Sequence, residues 1–369
     1  MNWNAVTRRA GIDRFSAFYI AALFIVVFGA WSPGLFFSMA TVRTVASQQA
    51  VVGILAIAVL IPLACGNYDL SVGACANLTA VVAVILQVRD GWPMWPAIVA
   101  AVAVGGVIGI VNGFVVVRLK VNSFIATLGA ATVIDAIQEI AANGTQPFPP
   151  TSHAWLVLTQ GTVGGFDVVI VYLIVIAALA WLLLSRTPAG RYIYAIGANA
   201  EAARLSGLKI GPLSFTTFVL SGVISGIAGV LYASFVGPSL TFGSALLLPS
   251  FAAVFMGSTQ IRPGRFNVPG TLISIYVLAI GVQGIQYVTS VQWANEMFNG
   301  IALIVAVAVA GQRIRGAAGR DTRGPAGLRR RAGGASGPAD QPSADQPQDA
   351  GGTAGGAGTQ DRPTELSEW

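Results

Sequence analysis

Apolar runs long enough to cross a bilayer dominate this chain and leave it few ways to fold. Ten of them can be marked, at about 15–32, 44–64, 71–88, 94–117, 122–141, 167–185, 212–236, 244–258, 268–288 and 293–311. A helix needs about 20 mostly apolar residues to span the hydrocarbon core. Inside that core every backbone N–H and C=O must pair within its own segment, so runs of this length are read as helices. Charge supports the reading. Of 369 residues, 54% are hydrophobic and only 10% charged, against about a quarter charged in a soluble domain. The expected fold class is all-α, a polytopic integral membrane protein of about ten transmembrane helices over residues 15–311.

Lysine and arginine set the expected orientation, because cytoplasmic loops carry the positive excess. With residues 1–14 inside, the cytoplasmic face receives Arg8, Arg9 and Arg14, then Arg118 and Lys120, then Arg186, Arg191, Arg204 and Lys209, then Arg262 and Arg265, and finally the tail. Only Arg43 and Arg89 fall outside. A count of nine or eleven helices would strand one cluster on the wrong side, so both termini are expected in the cytoplasm and the chain in the cell (inner) membrane. The first run resembles a signal peptide but lacks a small-residue cleavage site, so a retained helix is expected. The longest outer loop, 142–166, is rich in proline and glycine, carries the sole histidine, His153, and has no Lys or Arg.

Residues 312–369 turn to Gly, Ala, Pro, Arg and Asp, which cannot bury enough surface to fold, so a disordered cytoplasmic tail is expected. Its basic first part suits contact with anionic lipid of the bilayer. The net charge of +6 does not imply nucleic acid, since the positive residues form short clusters between apolar runs and no basic face. Cys65 and Cys75 show no metal-ligand spacing and read as small buried residues. No metal and no cofactor are expected.

Four patterns interrupt the apolar text. The first is Cys65-Gly66-Asn67-Tyr68-Asp69-Leu70-Ser71-Val72-Gly73. A carboxylate beside a membrane helix is costly unless it caps a helix or faces a polar cavity. Asp69 or Ser71 therefore reads either as an N-cap for the helix that follows or, with Asn67, as the lining of a path at a broken helix. The second is the inside segment 186–211. There Asn199 is placed to cap a short helix, Glu201 favours its first turn, and Gly207 stops it. Ala200, Ala202 and Ala203 permit close approach of another surface, with Arg191 and Arg204 at the rim; the plainer reading is a surface helix that ties two spans together. The third is small-residue spacing, Gly105, Gly109 and Gly113 in one run, and Ser221, Gly222, Ser225, Gly226 and Gly229 in another, which favours close helix packing.

The fourth is a set of polar residues within apolar runs: Asp135, Gln138 and Glu139, then Gln283 and Gln286, then Asn295, Glu296 and Asn299. All fall towards the outer side in the expected topology. Asp135 and Glu139 share a helix face and could line a vestibule with Gln283 and Asn299, or simply sit at the wet interface. The intramembrane carboxylates would also suit a stand-alone ion-coupled transporter. A phosphate-binding loop is missing, because the only lysines, Lys120 and Lys209, both follow leucine. No nucleophile or acid–base arrangement points to an enzyme.

These motifs carry a family resemblance. Gly66 to Gly73, Asn112-Gly113 with Phe124-Ile125-Ala126-Thr127-Leu128-Gly129, and the block from Gly190-Arg191 to Ser206-Gly207 continuing into Leu220-Ser221-Gly222 resemble, in order, the permeases of ribose- and xylose-type ABC importers, within the branched-chain amino acid and sugar permease superfamily. The resemblance implies a dimer of permeases around a central path, with an external binding protein delivering a sugar-like solute. It implies two ATPase subunits docking at the helix of Asn199–Gly207, through Arg191, Asn199, Glu201, Ala202, Ala203, Arg204 and Gly207. The candidate path residues are Asn67, Asp69, Ser71, Asp135, Glu139, Gln283 and Asn299. The family commonly has Arg where this chain has Asp135 and Lys where it has Asn299, which implies a solute or docking surface different from the ribose type.

Overall fold

A computed structural model describes residues 12–289 and 291–321. Residues 1–11 of the expected N-terminal segment 1–14, and 322–369 of the expected tail 312–369, lie outside the described residues. The helices are α1 (Ile12–Trp31), α2 (Pro33–Phe36), α3 (Met39–Ala64), α4 (Val72–Val88), α5 (Met94–Gly113), α6 (Ser123–Ala142), α7 (His153–Gln160), α8 (Val169–Arg186), α9 (Pro188–Ala198), α10 (Ala200–Leu205), α11 (Ile210–Phe235), α12 (Phe242–Gly257), α13 (Val268–Val288) and α14 (Gln292–Asp321). A single antiparallel hairpin, β1 (Thr162–Val163) with β2 (Phe166–Asp167), sits between α7 and α8. The described residues form an all-α polytopic membrane protein. Seven helices are long and apolar enough to cross a bilayer: α3, α5 with the turn after it, α6, α8, α11, α13 and α14; α1, α4 and α12 are shorter apolar helices.

The core is built around α3. Every residue from Ala50 to Ala64 is buried, so this helix is apolar on all sides because it has neighbours on all sides. Those neighbours are α8, α11, α12 and α13. At 26 residues it is about 39 Å long, enough to run through the whole bilayer. Helices α6, α8 and α14 instead keep broad apolar faces exposed, including Ile125, Ile140, Leu179 and Ile304, as expected for helices whose outer surface meets lipid.

The two small-residue stripes face each other. A Cβ on Gly105 would lie 2.5 Å from the Gly222 carbonyl oxygen, and one on Gly222 would overlap the Gly105 carbonyl; Gly109 meets the backbone of Phe218 and Val219 in the same way. Helices α5 and α11 thus cross backbone on backbone, the close approach that small residues permit where the hydrophobic effect cannot drive helices together. Further along α11, Gly229 abuts Ala76 and Thr79 of α4. One stripe on α11 therefore seats two helices.

Three segments are more ordered than their composition suggests. The segment after α6 holds α7, whose Trp155 is fully buried. Thr159 Oγ1 lies 2.8 Å from Ser234 Oγ, and Ser234 Oγ donates to the Trp155 carbonyl at 2.6 Å, pinning α7 to α11. The segment after α8 holds two helices, with α9 preceding the expected short one. The last helix runs on from residue 311 to Asp321.

Candidate functional site

The gap between α3 and α4 gathers buried polar residues, among them Asp69, Ser71 and Asn112. Helix α3 ends because Gly66 takes φ +85°, a conformation that glycine adopts at little cost. The Gly66 N–H donates to the Leu63 carbonyl and the Asn67 N–H to the Pro62 carbonyl, both at 3.0 Å, closing the last turn as a Schellman motif. Pro62 has no N–H to continue the ladder below it. The chain then runs extended before α4 begins.

Asp69 occupies the middle of this gap and is 2% exposed. Its Oδ1 accepts from the Ser71 N–H at 3.1 Å and the Ser71 hydroxyl at 2.6 Å, and its Oδ2 accepts from the Ser221 hydroxyl at 2.7 Å. Ser71 Oγ in turn accepts from Asn112 Nδ2 at 2.7 Å. The chain Asn112, Ser71, Asp69, Ser221 therefore links α5, the gap, and α11 through neutral donors. Among the described residues the ion pairs are Arg89 with Asp90 and Arg204 with Glu201, neither of which involves Asp69. Of the two capping candidates, Asp69 does bind a backbone N–H, whereas the Ser71 hydroxyl caps no amide of α4.

Other neighbours hold the rest of the gap. The Tyr68 N–H donates to Ser123 Oγ and the Leu70 N–H to Thr127 Oγ1, each at 3.0 Å, so the first turn of α6 supplies acceptors to an unpaired backbone. Asn67 Nδ2 donates to Ser214 Oγ of α11 at 3.3 Å. Asn67, Asp69 and Ser71 are thus brought together. Sequence reasoning quoted Asn112 and Thr127 only as motif letters and Ser221 only as a packing residue; Ser123 and Ser214 went unremarked. Polar residues one helix apart from a polar gap were the available signal.

The remaining path candidates lie elsewhere. Asp135 and Glu139 are exposed on α6, which packs on α4. Between them Gln138 is buried and donates to the Leu240 carbonyl at 2.9 Å; Asn77 donates to that carbonyl at 3.1 Å and accepts from the Gly243 N–H at 2.7 Å. Gln138 and Asn77 thus anchor the turn before α12. Gln283 on α13 and Asn299 on α14 are half-buried, and Asn299 lines a cavity with Gln48, Gln49 and Gln286.

At the bundle end where α3 stops, α9 and α10 form an elbow. Thr187 Oγ1 accepts from the Gly190 N–H at 3.1 Å with Pro188 at the first helical position, a start signal legible in the sequence. Asn199 ends α9 and caps α10, accepting from the Ala202 N–H at 3.0 Å. Gly207, at φ +81°, closes α10: its N–H donates to the Arg204 carbonyl at 2.9 Å and the Leu208 N–H to the Ala203 carbonyl at 3.1 Å, again a Schellman motif. Glu201 and Arg204 pair at 2.6 Å on an exposed face beside Leu205, which is 80% exposed. Arg191 and Ala202 are exposed as well, while Ala203 faces inward and is buried.

The elbow touches the gap directly. Gly197 of α9 packs on the Ala64 carbonyl and on Gly66, so close that a Cβ there would overlap Ala64. Tyr194 of α9 donates its hydroxyl to the Phe266 carbonyl at 2.6 Å, with the Arg265 guanidinium 3.4 Å from its ring centre. Burial pushes the Tyr194 phenol above its usual range, and the charges of Arg265 and Arg262 partly oppose that. Helix α9 is therefore clamped both to the end of the axial helix and to the loop between α12 and α13.

A multi-helix membrane bundle whose axial helix breaks at a buried polar cluster, with an elbow of short helices seated on the break, defines a membrane transport protein. Residues 41–308 match the family described as branched-chain amino acid transport system, permease component, and the chain belongs to that family. It is 30% identical over 307 residues to the fructose import permease protein of Rhizobium meliloti, spanning 79% of this chain and 83% of that one. It is 28% identical over 293 residues to the ribose import permease protein of Haemophilus influenzae, spanning 78% and 90%. To the galactose/methyl galactoside import permease protein of Escherichia coli K12 it is 28% identical over 309 residues, spanning 79% and 92%.

Proposed function

We propose that this chain is the transmembrane permease subunit of a binding-protein-dependent ABC importer that carries a monosaccharide or a related polyol by alternating access. Its similarity to permeases named for fructose, ribose and galactose import supports the solute class. The observation that carries the mechanism is the seating of the α9–α10 elbow, backbone on backbone, against the end of the axial helix at Ala64 and Gly66. Ten spans in the cell (inner) membrane, with both termini on the cytoplasmic side, complete the reading; the positive clusters favour this orientation.

In this reading the ATPase subunit docks on the exposed face of α10, at Asn199, Glu201, Ala202 and Arg204, with Arg191 beside it. Closure of the ATPase pair moves the elbow. A rigid contact such as Gly197 on Ala64 has no compliant side chain to absorb that motion, so it passes to the broken helix and its polar cluster. A second permease copy completes the path, and an external binding protein delivers solute to the opposite face. An ion-coupled transporter would need a carboxylate open to the path; Asp69 is enclosed by three hydrogen bonds, which leaves the exposed Asp135 and Glu139 as the carboxylates for that alternative, and an ion gradient applied to the chain alone tests it.

Replacing Glu201 and Arg204 by alanine tests the docking role. The exposed pair contributes at most about 1 kcal/mol to stability, so the variant inserts and folds normally. Uptake and solute-stimulated ATP hydrolysis in the assembled importer fall together by at least tenfold. Coupling retained within twofold would remove α10 from the ATPase contact.

A further inference from the structure

Helices α3, α12, α13 and α14 enclose a cavity of about 190 Å³ that is separate from the gap at Asp69. It lies in the first half of α3 and α12 and the last half of α13, the outer half of the membrane in the proposed orientation. Four carboxamides line it: Gln48, Gln49, Gln286 and Asn299. Gln48 and Gln286 are exposed, and Gln49 and Asn299 are half-buried. Among the described residues none of these amides has a side-chain hydrogen-bond partner, although each carries two donors and two acceptor lone pairs. A fifth polar group comes from the backbone. Pro249, also in the wall, has no N–H to give, so the Ala245 carbonyl one turn earlier loses its helical donor where it borders the cavity.

The remaining wall is aliphatic, with Val52, Leu246, Ile275 and Leu278, and no lining residue is ionisable. The two half-buried amides, Gln49 and Asn299, are costly to leave unpaired against an aliphatic wall unless water or a ligand completes their bonding. Amides that donate and accept in equal measure match hydroxyl groups, which do the same. Aliphatic surface between them suits the C–H face of a ring or carbon chain. An ion would meet no countercharge among the lining residues, and burying one unpaired is unfavourable.

We infer that this cavity is a recognition site for an uncharged polyhydroxylated solute, which Gln49 and Asn299 hold from within and Gln48 and Gln286 meet at the mouth. The inference rests on the proposed import function and narrows it. It excludes sugar phosphates, sugar acids and zwitterionic amino acids as solutes.

The test is uptake by the complete importer, with its ATPase and binding protein, of labelled ribose, fructose, allose and galactose, with leucine and gluconate alongside. The variants are Gln49→Leu, Gln286→Leu and Asn299→Leu. For the transported neutral sugar, uptake falls at least tenfold in Gln49→Leu or Asn299→Leu, while ATP hydrolysis stimulated by loaded binding protein stays within twofold and so reports an assembled complex. Deoxy analogues of that sugar supply a readout that packing alone would not move. The penalty for a missing hydroxyl, large in the unmodified importer, shrinks in the variant lacking its amide partner. Sugar uptake within twofold in all three variants, or an unchanged deoxy penalty, overturns the cavity site and leaves the import function standing. Transport of leucine or gluconate in place of any neutral sugar overturns both.

Discussion

Asp69 shows how one carboxylate can serve a membrane bundle without a cation beside it. Its three hydrogen bonds come from Ser71 and Ser221, and Asn112 extends the chain to α5. Asp69→Ala leaves a backbone N–H and two hydroxyls without their acceptor in a buried site. With interhelical bonds in bilayers averaging about 0.6 kcal/mol and unpaired buried groups costing about 1–3 kcal/mol, a loss of about 2 kcal/mol is expected. Asp69→Asn retains an oxygen for Ser71 and offers an N–H₂ to Ser221 Oγ, so it loses less. Denaturation in detergent checks the ranking, and an alanine variant as stable as the unmodified chain would show that the cluster holds nothing together. The sequence exposed Asp69 as anomalous because a carboxylate in an apolar run has to be explained. It could not reveal Ser221, 152 positions away, because a serine among small residues reads equally well as packing.

The membrane-length helices were legible, since their runs are long and apolar, and the expected 268–288 coincides with α13. Helix pairing was not. The stripes at Gly105 and Gly222 announced close packing, but that they pack on each other depends on a chain path that periodicity does not contain. Gly222→Val tests the contact: a side chain there overlaps the Gly105 carbonyl, so α5 and α11 must separate. The expected result is a folded fraction reduced at least fivefold in membrane extracts, while Gly129→Val, at a helix position with open space around it, inserts normally. Equal yields of the two would contradict the crossing. Helix α9 was missed for a different reason. Its Thr187-Pro188 start was visible, but the clearer Asn199 cap and Gly207 stop drew the boundary around α10 alone. Asp135 and Glu139 shared a face as expected, yet which face met the bundle was decided by the buried Gln138 between them.

At the scale of the whole molecule, three levels of α3 carry different duties. Its first half borders the amide-lined cavity through Gln48 and Gln49, its stretch from Ala50 to Ala64 is packed on every side, and its end meets both the Asp69 gap and the elbow through Gly66 and Gly197. A single stiff helix thus joins the proposed solute site to the proposed ATPase contact. Composition and the length of the apolar runs made a polytopic membrane protein legible. The meeting of elbow and gap was hidden, because it unites segments more than a hundred residues apart. The most direct test of the account is solute uptake into vesicles of the purified chain reconstituted alone or with its ATPase subunit, each with binding protein outside. The account predicts neutral-sugar uptake only when the ATPase and internal ATP are both present, and none from a proton or sodium gradient. Uptake by the chain alone, driven by an ion gradient, would contradict it.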